Sequence, residues 1–286
     1  MNIKLRPGTR KDAAECGLIL FEAFKSVANQ HNFPWDYPSV EIAIGVVTMM
    51  LSNPGFCSVI AEIDGRVVGS NFLDVRNPIA GIGPITVDPA VQNQTVGRQL
   101  MRLVMERAAQ LKFAGVRLVQ AAYHNRSLCL YTKLGFATRE TLSKMDGAPI
   151  EERIPGYDVR PATESDLSAC DSLCFRVHGH DRGGELRDAV KVGTAKLVEH
   201  MGRITGYATD IALFAHAVGE TNQEIIALIA SGSDLSSKRG ILVPTRNGEL
   251  FRWCLNNGLR LVQQMTLMTI GLYNEPLGAY LPSVLY

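Results

Sequence analysis

The stretch VDPAVQNQTVGRQLM (87–101) sets a polar run between a β-like segment and the start of a helix. Ile82, Ile85 and Val87 precede it as a buried strand would, and Leu100, Leu103 and Val104 follow at helical spacing. A helix start leaves its first backbone N–H groups without intrahelical partners and carries the positive end of the peptide dipole. The run therefore predicts a site that attracts an anion. A second candidate, FRVHGHDRGGE, offers His178, His180 and Asp181, but no further ligand pair at zinc-like spacing accompanies it and no metal site is expected. Cys170 and Cys174 sit one helical turn apart, a spacing that reads as core packing.

These residues need elements to hold them. The 286 residues predict two units. IKLRPGTRKDAAECGLILF (3–21) and YDVRPATESDLSACDSLCF (157–175) match without a gap at Arg6/Arg160, Pro7/Pro161, Thr9/Thr163, Asp12/Asp166, Cys16/Cys170 and Phe21/Phe175. Each copy reads as a short strand, a threonine N-cap with an acidic residue three positions on, and an amphipathic helix. KMDGAPIEERIPG (144–156), polar with two prolines and two glycines, marks the connection. The expected division is 1–145, a linker at 146–156, and 157–286.

Within the first unit, strands are predicted at 57–64 and 66–76 around an Asp64-Gly65 hairpin turn, then at 82–87, 116–122 and 136–145. Helices are predicted at 96–112 and 126–134. A hairpin followed by alternating strands and helices specifies an α/β fold with a mixed central sheet and a ligand crevice where the central strands part.

Composition narrows the partners. The 29 basic and 28 acidic side chains cancel, which gives no global charge for nucleic acid or a membrane surface. No apolar run reaches the ~18–20 residues of a membrane span. Six scattered cysteines without a CxxC pair, and a start without an apolar signal core, predict reduced thiols and a cytoplasmic protein.

Over most of 3–145 the sequence resembles the GNAT superfamily of acyl-coenzyme A-dependent N-acetyltransferases. The likeness rests on the RPGTRKD opening, the DG hairpin, VDPAVQNQTVGRQLM and HNRSLCLYTKLGF at 124–136. It implies two tandem GNAT-like domains, with acetyl-CoA as cofactor. Gln92, Asn93, Gln94, Thr95, Val96, Gly97 and Arg98 would form the pyrophosphate cradle, Thr95 standing where a glycine is usual. If that position has φ > 0, a β-branched residue is strained there.

By the same resemblance Ile85 and Val87 lend backbone groups to the pantetheine arm, and Asn125 touches it. Tyr131 is the general acid that protonates the departing thiolate. Many members carry a carboxylate where this chain has Gly81-Ile82-Gly83, so the base is sought among Asp74, Glu62, Asp36 and His31, with Asp74 taken as the first choice. HNFPWDYPS (31–39), with Phe33, Trp35 and Tyr37, fits a flap over the pocket for a small-molecule amine acceptor.

The second copy reads as degenerate. Cys254 falls where Tyr131 stands, and FAHAVGETNQEIIALIAS (214–231) puts Glu220 where phosphates would need to be welcome. That unit would cover or shape the acceptor site. Two other readings stay open: a transferase with a different acyl donor or a mycothiol-synthase-like acceptor, and a non-catalytic acyl-CoA-binding regulatory protein.

Overall fold

The structure is a computed structural model that describes residues 2–232 and 234–286. The first half of the chain runs β1 (Ile3–Pro7), α1 (Ala13–His31), α2 (Val40–Ser52), β2 (Phe56–Ile63), β3 (Arg66–Asp74), β4 (Ile79–Ile82), β5 (Thr86–Val87), α3 (Val96–Gln110), β6 (Gly115–Ala121), α4 (Asn125–Lys133) and β7 (Ala137–Asp146). The second half follows the same order, with one strand in place of β4 and β5 and one more at its end: β8 (Asp158–Pro161), α5 (Leu167–His178), α6 (Gly183–Val192), β9 (Lys196–His200), β10 (Arg203–Ala208), β11 (Ala217–Gly219), α7 (Asn222–Ala230), β12 (Ile241–Pro244), α8 (Gly248–Asn256), β13 (Arg260–Gly271) and β14 (Ala279–Leu281).

The matched openings repeat because they build the same corner twice. Arg6 donates to Asp12 (2.6 Å) and to Glu62 (2.6 Å), and Arg160 donates to Asp166 (2.8 Å) and Glu199 (2.8 Å). Each aspartate also accepts the backbone N–H of its threonine, Thr9 at 2.7 Å and Thr163 at 2.9 Å. One arginine thus ties the first strand of each half to its neighbouring strand and to the helix start.

Two differences from the sequence reading matter. The strand expected over 82–87 is broken: β4 ends at Ile82, and β5 begins at Thr86 after a cis Gly83-Pro84 bond. The helix α2, capped by Ser39 accepting from the Ile42 amide at 3.4 Å, falls in a stretch given no element in the sequence reading. Its apolar run VEIAIGVVTMML lacks a clean polar face, which hides its period from a pattern search.

The sheets cross the middle of the chain. One nine-stranded sheet carries the order β1-β2-β3-β4-β6-β13-β7-β12, with β5 paired to β3, and a five-stranded sheet has the order β14-β11-β10-β9-β8. β13 lies between β6 and β7, antiparallel to both, with Met265 opposite both Ala121 and Leu142. β7 in turn lies between β13 and β12. The long strand near the end of each half is therefore exchanged, and the two halves share a continuous hydrogen-bonded ladder.

Candidate active site

The site grows from a split in the nine-stranded sheet. β4 and β6 run parallel only over Ile79–Gly81 against Gly115–Arg117. Beyond that point β5 pairs with β3 alone, while β6 continues beside β13, so β5 and β6 diverge. A cleft of about 440 Å³ fills the opening, with Ile85 and Val87 on one wall and Ala121 and Tyr123 on the other. Strand backbone without a ladder partner is free to meet an extended ligand.

At the end of this cleft α3 begins, and its N-terminus is left open. Thr95 has φ +67° and Asn93 φ +68°, both left-handed. Thr95 thus occupies the strained conformation that its β-branched side chain disfavours. Its side chain makes no cap; its hydroxyl accepts from Gln99 Nε2 at 3.2 Å, and the first turn holds no acidic residue. A Cβ built on Gly97 would meet only Val87 Cγ2 at 3.6 Å and Leu130 Cδ2 at 3.9 Å. Nothing in the packing demands glycine there; what it supplies is close access to the backbone.

Gln92, Asn93, Thr95, Val96, Gly97 and Arg98 all line the cleft, whereas Gln94 is exposed outside it. Two cations missed in the sequence reading, Arg126 and Lys133, join Arg98 along the lining. Arg126 donates to Asn93 Oδ1 at 3.2 Å and to Gln92 Oε1, which holds the left-handed turn against α4. Both flank Tyr131 on one short helix, and their charge within that motif is the signal that could have identified them. Asp36 is the one acidic side chain among those lining the cleft. The electrostatics favour an anionic ligand.

Tyr131 is 6% exposed and lines both this cleft and a second cavity behind it. Burial holds its phenol up, to about 12, with the nearby Ser127 hydroxyl acting weakly the other way. The group is a protonated donor at neutral pH. His124 makes a 2.7 Å contact to Ser127 Oγ. Burial, then the charges of Arg126 and His31, push it down to about 4, so it is a neutral imidazole.

The remaining expected residues scatter. Asn125 is exposed at the start of α4 and does not line the cleft. Phe33 stacks on Tyr123 with ring centroids 4.1 Å apart, and Trp35 meets Phe21 edge-on while Lys25 sits 4.5 Å above its ring. Neither lines a cavity described above; of the aromatic trio Tyr37 alone does, in the second cavity.

Asp74 requires a correction. Its carboxylate accepts Arg76 Nη2 at 2.5 Å and Arg76 Nε at 2.9 Å, and it borders neither cavity. It therefore lies outside the space that would hold the reacting groups. Glu62 is taken by Arg6 on the β1–β2 edge, and His31 bonds the Val27 carbonyl at 2.9 Å. Asp36 is the candidate that reaches both cavities, with Oδ1 accepting Lys144 Nζ and Gln263 Nε2, each at 3.2 Å.

The corresponding place in the second half is closed. α7 is capped at its start by Thr221, and Glu224 accepts the Thr221 amide at 2.9 Å and its hydroxyl at 2.6 Å. β14 pairs along the outer edge of β11, whereas the first half leaves the outer edge of β5 without a ladder partner. Glu220 is engaged by Arg176 and Arg203, and Cys254 is fully buried on α8. His178 and His180 lie with ring centroids 5.8 Å apart, and His180 Nε2 contacts the Tyr286 hydroxyl at 3.1 Å. Among the described residues no group of three His, Cys, Asp or Glu side chains gathers as a metal site would need, and all six cysteines are unpaired. Among the described residues no helix is long and apolar enough to cross a membrane.

Comparison with known proteins agrees with this geometry. Residues 21–136, which hold the split strands, the cradle and Tyr131, match the model of the acetyltransferase (GNAT) family. An 82-residue segment is 33% identical to mycothiol acetyltransferase of Tsukamurella paurometabola, and the match spans 28% of this chain and 28% of that protein. A solved acetyltransferase-fold protein of Pyrococcus horikoshii superposes with a TM-score of 0.76 at 18% identity, covering 97% of this chain and 92% of that one. A tandem GNAT protein from the clavulanic acid biosynthesis pathway superposes at 0.56 with 13% identity, covering 94% and 98%. Both likenesses run nearly end to end, so the fold of the whole chain is the tandem GNAT architecture, two mixed α/β units.

Proposed function

From the premise that residues 21–136 are a GNAT acetyltransferase domain, we propose that the chain transfers an acetyl group from acetyl-CoA to a small-molecule amine. The observation that carries the reading is the uncapped start of α3 beside three cations, at the end of a cleft between strands that part from each other. Those groups suit a long, polyanionic thioester: Gln92, Asn93 and Val96 to Arg98 for its phosphates, the β5 edge at Ile85 and Val87 for its arm. The bound donor supplies an activated acyl carbon.

This chain's own residues then divide the work. An amide on the β5 edge serves the developing oxyanion, as a fixed dipole in a site sheltered from water. The Tyr131 phenol gives its proton to the leaving sulfur as the carbon–sulfur bond breaks. Asp36, at the junction of the two cavities, receives the proton lost by the attacking ammonium, directly or through water. In the same reading the domains divide at 1–145, 146–156 and 157–286, and the second unit has no donor site: its α7 start is filled by Glu224 and its strand edge by β14.

Titration calorimetry with acetyl-CoA tests the reading. One donor per chain, lost in Gly97→Glu, is expected; no binding removes the cofactor from the proposal, and two per chain overturn the closed second site.

A further inference from the structure

Behind Tyr131 lies a cavity of about 120 Å³ whose wall comes from both halves of the chain. It is bounded mostly by apolar groups, including Phe214 and the segment at Val284 and Leu285; Ser127, Tyr37 and Tyr131 also border it, and so do Asp36, Gln120 and Arg239. Gln120 and Arg239 are unusual. Gln120 is 6% exposed, and neither its Oε1 nor its Nε2 has a hydrogen-bond partner among the described residues. A buried amide idle at both ends is rare, because water was given up for nothing in return. It makes sense where a ligand completes it.

Arg239 lies across this cavity on the second half. Its guanidinium rests over the rings of Phe214 (4.2 Å) and Tyr37 (4.9 Å), which fixes its plane. Its neighbour Lys238 is paired to Asp210 at 2.5 Å, yet no carboxylate pairs with Arg239 among the described residues. Its backbone is held at φ +64°, a conformation that arginine seldom adopts. Asp36, whose Oδ1 accepts Lys144 Nζ at 3.2 Å, borders the same space without meeting Arg239, so the carboxylate and the guanidinium stand at separate points of the cavity.

We propose that the acceptor is a small amine that also bears a carboxylate, of amino-acid size, with its carboxylate on Arg239, its amine toward Asp36 and Tyr131, and Gln120 meeting its remaining polar group. The inference rests on the acetyltransferase reading above and specifies its second substrate. A planar fork of N–H donors matches a carboxylate in two parallel hydrogen bonds.

The test compares amino acids with the matching decarboxylated amines, leucine against isopentylamine and phenylalanine against phenethylamine, by release of free thiol from acetyl-CoA. Wild type, Arg239→Met and Arg239→Lys are each assayed after calorimetry with acetyl-CoA and a melting profile to confirm donor binding and folding. Wild type is expected to prefer an amino acid. Arg239→Met is expected to raise its KM by about 10- to 100-fold while leaving the KM of the decarboxylated amine nearly unchanged, with Arg239→Lys between. Equal or better use of the decarboxylated amines by wild type overturns the proposal. So does an unaltered preference in Arg239→Met, or turnover of no amino acid by protein that binds the donor. Failure to bind acetyl-CoA at all is a different result: it removes the transferase reading, and this inference falls with it.

Discussion

The carbonyl of Leu285 lies where the Cβ of any other residue at Gly81 would have to be. That contact explains why the central strand carries no carboxylate at a position where one was sought: backbone from the far end of the chain fills the space, and a side chain cannot enter. Gly81→Ala is expected to displace the 283–286 segment or lose about 1–3 kcal/mol of stability by overpacking. A melting curve reads this as a fall of several degrees, and an unchanged transition would mean that the segment yields without cost.

Tyr131→Phe keeps the ring and removes the proton. Its turnover with saturating amine is expected to fall about 100-fold, with little change in acetyl-CoA affinity. Because burial holds the Tyr131 phenol at about 12, wild type should show no alkaline loss of activity from this group below about pH 11. A wild-type rate in Tyr131→Phe, with chemistry shown to be limiting, would remove Tyr131 as the acid.

Gly97 separates access from fit. A methyl at this position meets only ordinary protein contacts, so Gly97→Ala should melt like wild type, and any loss of acetyl-CoA affinity it shows reads the backbone access that the glycine gives. Gly97→Glu adds a negative charge at the open helix start and should weaken binding about 100-fold or more, measured by calorimetry.

Arg126→Ala should loosen the turn at Gln92 and Asn93 and remove one of the cleft's cations. The expected result is about a tenfold loss of acetyl-CoA affinity that shrinks at high salt, with turnover at saturation retained. An affinity insensitive to both the substitution and the salt would show that the phosphates lie elsewhere.

The paired corners predict an acid limb. Hydrogen bonds from Arg6, then from Thr9, hold the Asp12 carboxyl down at about 2, against the opposing effect of burial. A depressed folded-state pKa contributes stability that is present above the unfolded value, near ~3.9, and is lost as pH falls through about 2. Asp12→Asn should therefore lower the melting temperature at pH 7 and flatten its decline between about pH 4 and pH 2. Equal slopes in the two proteins would rule out this linkage.

The sequence by itself determined the local features: the doubled opening with its arginine, threonine and aspartate, the Asp64-Gly65 hairpin, the polar loop before α3, and Tyr131 on its short helix. Each depends on residues within a turn or two of one another, where propensity, capping and period act directly. Tertiary structure decided the rest. The exchange of β7 and β13 leaves no trace in either strand, because an alternating strand pairs as well with a distant neighbour as with a near one. The cavity behind Tyr131 is walled in part by Leu213, Phe214, Arg239, Val284 and Leu285, far from it in sequence. Asp74 and Asp36 could not be ranked from composition, since each has a cationic partner in space, Arg76 and Lys144, and what separates them is position: the first lies outside both cavities, while the fold sets the second where the two meet.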